Sequence, residues 1–176
     1  MTDYLLPEAR AAVPAASVQT KLPRFATGDA KRAVRTFETI VEAGTGHRYV
    51  LAQVPSNATI TSLRVSSDAS ITSGAADWGL YTMDRKGNLA AVDQDVFAAA
   101  RAMAGTAGTF AEILHASGVI DIAALDMPLW RHPKTGGGQP VYSADPGGSF
   151  WVVLTVTTTV GGVGTVTAVL DYLTAS

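Results

Sequence analysis

The sequence contains no cysteine among its 176 residues, which excludes disulfide bonds, thiolate metal sites and a cysteine nucleophile. Charged residues are also scarce, because they make up 16% of the chain against roughly 25% in a typical soluble domain. Hydrophobic residues make up 47%, and so few charges beside so much apolar sequence indicate that partner chains cover part of the surface. The net charge of −2 provides no basic field for nucleic acid or an anionic membrane, and we expect neither as a partner.

Long hydrophobic runs are missing too. No apolar stretch approaches the roughly 20 residues that cross a bilayer. The first eight residues, Met1 to Glu8, lack the basic region and the apolar run of a signal peptide. We therefore expect the protein to be made in the cytoplasm.

The sequence contains no recognisable metal-binding motif. Of the histidines His47, His115 and His132, only His115 has a carboxylate, Glu112, at helical spacing, which is more typical of a surface pair than of a metal site. Asp93 and Asp95 resemble the start of a calcium loop, but its glycine and its closing glutamate are missing. We predict that these two aspartates cap a helix instead.

No catalytic constellation is present either. Asp121 and Asp126 could form a glycosidase pair, but carboxylate pairs have almost no specificity in a sequence, because their working distance is set in space. The glycine cluster at 135–138 lacks the ending of a phosphate-binding loop, and the cluster at 161–164 joins two predicted strands, where glycine supplies a positive φ. We expect no enzyme activity, no cofactor and no bound metal.

Residues 1–31 differ in composition from the rest of the chain. Pro7, Pro14 and Pro23 interrupt any helix, and apolar residues are too frequent between them for a solvated tail. We predict an extended N-terminal arm that becomes ordered against another surface, with a frayed terminus as the alternative. Residues 32–176 would then form the folded domain.

The domain shows the pattern of short strands broken by turns. We predict a hairpin of residues 32–42 and 48–54 around a turn at 43–46, strands over 59–65 and 77–83, and a turn at 84–87. Residues 149–160 and 165–173 are rich in β-branched side chains and predict a second, long hairpin with glycines 161, 162 and 164 at its tip. Residues 133–149 should be a loop.

The middle of the domain predicts a short helical insertion. A helix would run from the capping aspartates through Val96 to Met103, and a second over 106–116, before an irregular stretch with one helical turn ending near Trp130. Trp78 and Trp151 lie in predicted strands and should belong to the core, which leaves Trp130 as the one plausible exposed platform. The fold class is mostly β: an antiparallel, jelly-roll-like β-sandwich with a short helical insertion and an extended N-terminal arm.

A loose basic run marks the junction between arm and domain: Lys21, Arg24, Lys31, Arg32 and Arg35. Few aromatic residues interleave with it, so an acidic patch on a protein partner fits this run better than nucleic acid does.

Several segments resemble small virion proteins of tailed phages. The resemblance is carried by residues 54–69 (VPSNATITSLRVSSDA), by Ala76 to Tyr81 (ADWGLY), by the aspartate-rich segment 92–98 (VDQDVFA), by 121–123 (DIA) and by Pro128-Leu129-Trp130. It covers roughly residues 32–173, and the arm has no counterpart in it. The family implied is that of capsid cement or decoration proteins.

The resemblance implies a non-enzymatic protein on the outer surface of the phage head, made in the host cytoplasm and bound to the major capsid protein. Self-association as a homotrimer or a dimer is also implied. In that role the arm would clamp a neighbouring subunit, with Tyr4, Leu5, Leu6, Val13 and Phe25 as apolar anchors and Arg24, Lys31 and Arg32 as polar contacts. A head–tail connector or tail component is the first alternative, and a carbohydrate-binding or hydrolytic β-sandwich is the second.

Overall fold

The computed structural model describes residues 29–39, 45–104, 109–114 and 127–174. These residues form eight β-strands and one short 3₁₀ turn, Leu129–Arg131. The strands are β1 (Asp29–Thr39), β2 (Arg48–Pro55), β3 (Thr59–Ser67), β4 (Ser73–Met83), β5 (Leu89–Ala102), β6 (Ala111–Glu112), β7 (Ser149–Gly161) and β8 (Gly164–Thr174). The predicted boundary between arm and domain at 31/32 stays a prediction, and β1 begins at Asp29.

The strands form two four-stranded antiparallel sheets. The first sheet has the order β1-β8-β3-β6 and the second has the order β2-β7-β4-β5. Both sheets place an early strand beside a late one, as a jelly-roll-like sandwich requires. The predicted fold class is confirmed as a mostly β, antiparallel β-sandwich, whereas the predicted N-terminal arm lies outside the described residues up to residue 28.

Nearly every connection crosses from one sheet to the other, which makes both predicted hairpins wrong. β1 pairs with β8 whereas β2 pairs with β7, and the two closing strands β7 and β8 lie in opposite sheets. The strand segments themselves are where the sequence predicts them. Their link at Gly162, with φ of +93°, is a turn as predicted, but it joins two sheets instead of two neighbours. Among the described strands, the one hairpin is β4–β5, and its predicted turn at residues 84–87 is confirmed.

The helix predicted over 96–103 is wrong, because β5 covers these residues. β5 pairs with β4 as an irregular strand, since Trp78 lies opposite Ala98 and Leu80 opposite Asp93. One residue of β4 therefore faces four residues of β5, three more than regular pairing allows, and this bulge gives the segment its apparent helical spacing. Strand pairing outweighs the helix propensity of its alanines. Of the second predicted helix, residues 109–114 are described, and they contain β6.

The core lies between the sheets and is built from alternate residues of the strands. In β7, Phe150, Val152 and Leu154 are buried against the β8 residues Ala168 and Leu170 in one continuous cluster. Trp78 is 2% exposed and belongs to this cluster, as predicted. The alternation leaves every second residue of each strand on an outer face of the sandwich.

Residues 127–148 close one end of the sandwich, and 133–149 are loop as predicted, apart from one isolated bridge between Lys134 and Pro140. The loop is tied down by hydrogen bonds to β5 and to the residue after β2. The backbone N–H of Lys134 donates to Asp93 Oδ2 (2.8 Å), Ser56 Oγ donates to Asp145 Oδ1 (2.7 Å), and the Ser56 N–H donates to the Gly148 carbonyl oxygen (3.0 Å). In the described ranges, no helix has the length and apolar character needed to cross a membrane.

Candidate binding surface

The outer face of the first sheet carries a compact set of charged side chains. Strand β1 pairs with β8 without a register shift, which brings Arg32 opposite Asp171. Strand β3 lies on the other side of β8 and contributes Arg64. Their neighbours Ala33, Leu170 and Leu63 pack into the core, so alternation directs these charged residues outward. We call Arg32, Asp171 and Arg64 the charge ladder.

Asp171 is the centre of the charge ladder. Its Oδ1 accepts a hydrogen bond from Arg32 Nε (2.6 Å), and its Oδ2 accepts from Arg32 Nη2 (3.2 Å) and Arg64 Nη2 (3.0 Å). The hydrogen bond from Arg32, together with the positive charges of both guanidiniums, lowers the pKa of Asp171. The hydrogen bond to Asp171 and the negative charge of that carboxylate raise the pKa of Arg32. The three side chains are 62% (Arg32), 21% (Asp171) and 37% (Arg64) exposed, so solvent reaches mainly the β1 side of the ladder.

Glu112 of β6 lies on the same face, beyond Arg64. The two residues are direct partners in the pairing of β3 with β6. The Glu112 carboxylate accepts hydrogen bonds from Ser62 Oγ (2.6 Å) and from the backbone N–H groups of Leu63 (3.0 Å) and Leu114 (3.1 Å). The side chain thus satisfies backbone groups where the two-residue strand ends. Among the side chains that the structure describes, this face therefore carries two guanidiniums and two carboxylates.

Two of the predicted arm contacts fall in the described residues. Arg32 is the exposed end of the charge ladder, and Lys31 is exposed opposite Tyr172. The other predicted contacts lie outside the described residues: Tyr4, Leu5, Leu6, Val13, Arg24 and Phe25. Sequence reasoning missed Asp171, Arg64 and Glu112, although Asp171 is the one charged residue in the β-branched run of β8.

The outer face of the second sheet carries aromatic side chains. Tyr81 is fully buried there, with its hydroxyl 2.6 Å from Thr155 Oγ1 and the Arg48 guanidinium 5.2 Å above its ring. Arg48 also donates to the Leu89 carbonyl oxygen (3.0 Å) and so ties β2 to the start of β5. Trp151 pairs with Tyr81 across the strands and is half-buried on this face.

Two predictions for tryptophans are therefore wrong. Trp151 does not belong to the core cluster, whereas Trp130 is half-buried, packs against that cluster and has the Arg131 guanidinium 5.1 Å from its ring centroid. The sequence predicts strand position but not which of the two faces of a sheet is covered.

The titratable residues considered as metal or catalytic groups are dispersed. His132 is buried, which lowers its pKa, with Nε2 3.3 Å from the Met127 carbonyl oxygen, whereas His47 is exposed. Asp93 and Asp95 lie in β5, so neither caps a helix; burial and the neighbouring Asp93 raise the pKa of Asp95. His115, Asp121 and Asp126 lie outside the described residues. Within 29–39, 45–104, 109–114 and 127–174, no three histidine or carboxylate side chains converge on a metal-sized site.

Comparison with known proteins gives no match to a family model and none to a curated protein sequence. Among solved structures, a chain in the capsid of Ralstonia phage GP4 is similar, with a TM-score of 0.51 and 15% identity over 88% of this chain and 90% of that chain. A chain in the capsid asymmetric unit of cyanophage Pam1 has a TM-score of 0.49 and 14% identity over 84% and 86%. The likeness to the GP4 chain is one of fold. It extends over almost the whole of both chains, so it concerns the complete sandwich.

Proposed function

We propose that this chain is a structural component of a tailed-phage virion, which binds other protein chains and catalyses no reaction. The observation that carries the proposal is the two-sheet antiparallel sandwich, which is similar over 88% of this chain to a chain in the GP4 phage capsid. Because one fold serves many functions, the role also rests on the sequence segments that resemble small virion proteins.

Within the virion, we place the protein on the outer surface of the head, as a cement or decoration protein that binds the major capsid protein across subunit boundaries. A cement protein stabilises a shell by adding many weak contacts that must break together. The charge ladder suits such a contact, because its two guanidiniums share one carboxylate and the remaining positive charge would attract an acidic patch on the capsid protein. The proline-punctuated residues 1–28 would extend the contact to a neighbouring subunit.

Co-sedimentation with empty shells of the major capsid protein tests this role. The full chain is compared with a version that begins at Asp29, because a deletion reaching Ala33 would remove β1 residues that pair with β8. Thermal melting first establishes that the shortened version retains its fold. Binding of the full chain together with at least tenfold weaker binding of the shortened version would support a cement protein with a clamping arm.

Equal binding of both versions would support the cement role but show that residues 1–28 do not contribute to it. Absence of binding by the full chain would contradict the cement role. Closed rings of the free protein in electron micrographs would then support the head–tail connector.

A further inference from the structure

We propose that two copies of this chain pack face to face through the outer surface of the second sheet, about a two-fold axis that runs parallel to the strands between β7 and β4. This surface lies on the side of the sandwich opposite the charge ladder. Arg48 and Asp95, at its two margins, are both exposed. The inference rests on the charges of this surface and does not depend on the proposed virion role.

A row of paired residues crosses this surface from β2 to β5. Arg48 of β2 lies opposite Thr155 of β7, and Thr155 lies opposite Asp77 of β4. Asp77 accepts a hydrogen bond from Gln94 Nε2 (2.8 Å), so the bulge of β5 lies at the end of the same row. Because neighbouring strands are about 4.8 Å apart, the two ends of the row are about 14 Å apart.

The β2 end of the row is positive. The Arg48 guanidinium lies 5.2 Å from the ring centroid of Tyr81 and donates to the Leu89 carbonyl oxygen (3.0 Å), so its position on the surface is fixed. Neither contact neutralises its charge. In the described part of the chain, the ion pairs lie in the charge ladder, and Arg48 forms none. Arg48 is therefore an immobilised cation with which a carboxylate of another chain can pair.

The β5 end of the row is negative. Asp95 of the bulge is close to Asp93, and burial together with this second carboxylate raises the pKa of Asp95. The backbone N–H of Lys134 donates to Asp93 Oδ2 (2.8 Å), and the Lys134 side chain is exposed. With Asp77, three carboxylates thus lie around the bulge beside this one lysine. A further cation at Asp95 would stabilise the charged form of its carboxylate.

The charges at the two ends select one of two symmetric arrangements. When two identical surfaces pack face to face, the two-fold axis lies in the plane between them, either along the row or parallel to the strands. An axis along the row would bring Arg48 of one copy to Arg48 of the other, which is repulsive. An axis parallel to the strands exchanges the two ends, so Arg48 of each copy meets Asp95 of the other. The contact then contains two ion pairs related by symmetry.

The middle of the surface supplies the apolar part of the contact. Trp151 of β7 is half-buried, and its direct partner on β4 is Tyr81. Because the axis exchanges β7 and β4, the indole of each copy would face the Tyr81 position of the other. Tryptophan, tyrosine and arginine are the residues that contribute most to binding in protein interfaces. The composition of this surface therefore matches that of an interface centre.

Charge reversal at the two ends tests the contact in the full chain. Sedimentation equilibrium of the unaltered protein should give twice the mass of the 18.2 kDa chain. Arg48→Glu and Asp95→Lys should each weaken the dimer at least tenfold, because each replaces two attractive pairs by two repulsive ones. A mixture of the two variants, or both changes in one chain, forms pairs of opposite charge again and should restore the dimer.

Arg131→Glu is the matched control. The Arg131 guanidinium lies 5.1 Å from the ring centroid of Trp130, much as Arg48 lies over Tyr81, but it belongs to the 3₁₀ turn outside the row. This variant should keep the dimer. Asp95→Lys leaves the contacts of Arg48 intact, so it tests the interface even where Arg48→Glu weakens the fold, which thermal melting measures.

Three results would overturn the proposal. The first is a monomeric or trimeric mass of the unaltered chain. The second is a dimer of undiminished affinity in folded Asp95→Lys. The third is a mixture of the two folded reversal variants that stays monomeric under conditions in which the unaltered chain is dimeric.

Discussion

Gly79 lies directly against the backbone of Gln94: a Cβ atom at Gly79 would be 2.1 Å from the Gln94 carbonyl oxygen and 2.3 Å from that of Asp93. The close approach is the point where the bulge of β5 folds onto β4. Asp77, two residues earlier, holds both ends of this bulge, since it accepts from Gln94 Nε2 (2.8 Å) and from the Ala100 N–H (2.7 Å). The bulge is therefore a fixed part of the second sheet.

Replacing Gly79 should be among the most damaging small changes in the chain. We expect Gly79→Ala to lower the free energy of unfolding by about 3 kcal/mol or more, because the added methyl group meets rigid backbone. Urea denaturation measures the loss. Gly136→Ala is the control, since nothing lies within 4 Å of its Cβ position, and it should change stability by less than about 0.5 kcal/mol. Equal effects of the two substitutions would contradict the packing of β5 on β4.

Ala100 should become more stable as glycine. Its φ of +45° is left-handed, a conformation that costs an L-residue roughly 1 kcal/mol and glycine almost nothing. We expect Ala100→Gly to raise the free energy of unfolding by up to about 1 kcal/mol, less the entropy that glycine adds to the unfolded chain. Ala99→Gly, at the preceding exposed position, gains no such relief and should destabilise. The same denaturation experiment distinguishes them, and a loss at both positions would show that Ala100 is unstrained.

Substitutions in the charge ladder should lower the free energy of unfolding by unequal amounts. Asp171→Asn removes the carboxylate that both arginines share and leaves Arg64, whose Nε is already buried without a partner among the described residues. We expect a loss of about 1–2 kcal/mol in the free energy of unfolding. Arg32→Ala should cost less than about 1 kcal/mol, because Arg32 is 62% exposed. A larger effect at Arg32 than at Asp171 would refute the central place of the carboxylate.

Stability should fall on mild acidification because of His132. Burial lowers the pKa of His132 in the folded state below the ordinary value of 6.5. Between the two pKa values, the unfolded chain therefore binds a proton at His132 and the folded chain does not. The contribution of His132 to the free energy of unfolding is complete above about pH 6.5, and it declines as the pH falls toward the folded-state pKa. Denaturation midpoints between about pH 7.5 and 5.5 check this, with His132→Gln as the variant expected to flatten the slope. An unchanged slope in that variant would assign the pH dependence to other groups.

The comparison of sequence and structure separates local from non-local information. The alternation in residues 149–160 and 165–173 locates two strands, and the polar run at 84–87 locates a turn, because these signals depend on neighbours along the chain. The choice between a hairpin and a crossing to the other sheet depends on partners far away, and glycine-rich links allow both. The same holds for the candidate site: Arg32 stands out in the sequence, but its partner Asp171 lies 139 positions later.

The helix predicted in β5 failed for a related reason. Alanine-rich sequence favours helix in isolation, but Trp78 and Leu80 of β4 provide a strand to pair with, and Asp77 anchors the extra residues. Only the three-dimensional partner reveals that the irregular spacing is a bulge.

The arrangement of β7 and β8 has a consequence for how the chain is made. β7 lies between β2 and β4, and β8 lies between β1 and β3, so the first strands to leave the ribosome find their central neighbours only when the last ones are synthesised. Neither sheet can close before then, and apart from the β4–β5 hairpin the emerging apolar strands must wait for their partners. We therefore expect the sandwich to fold only after β8 has been synthesised, in one cooperative step that a chaperone or rapid assembly would protect.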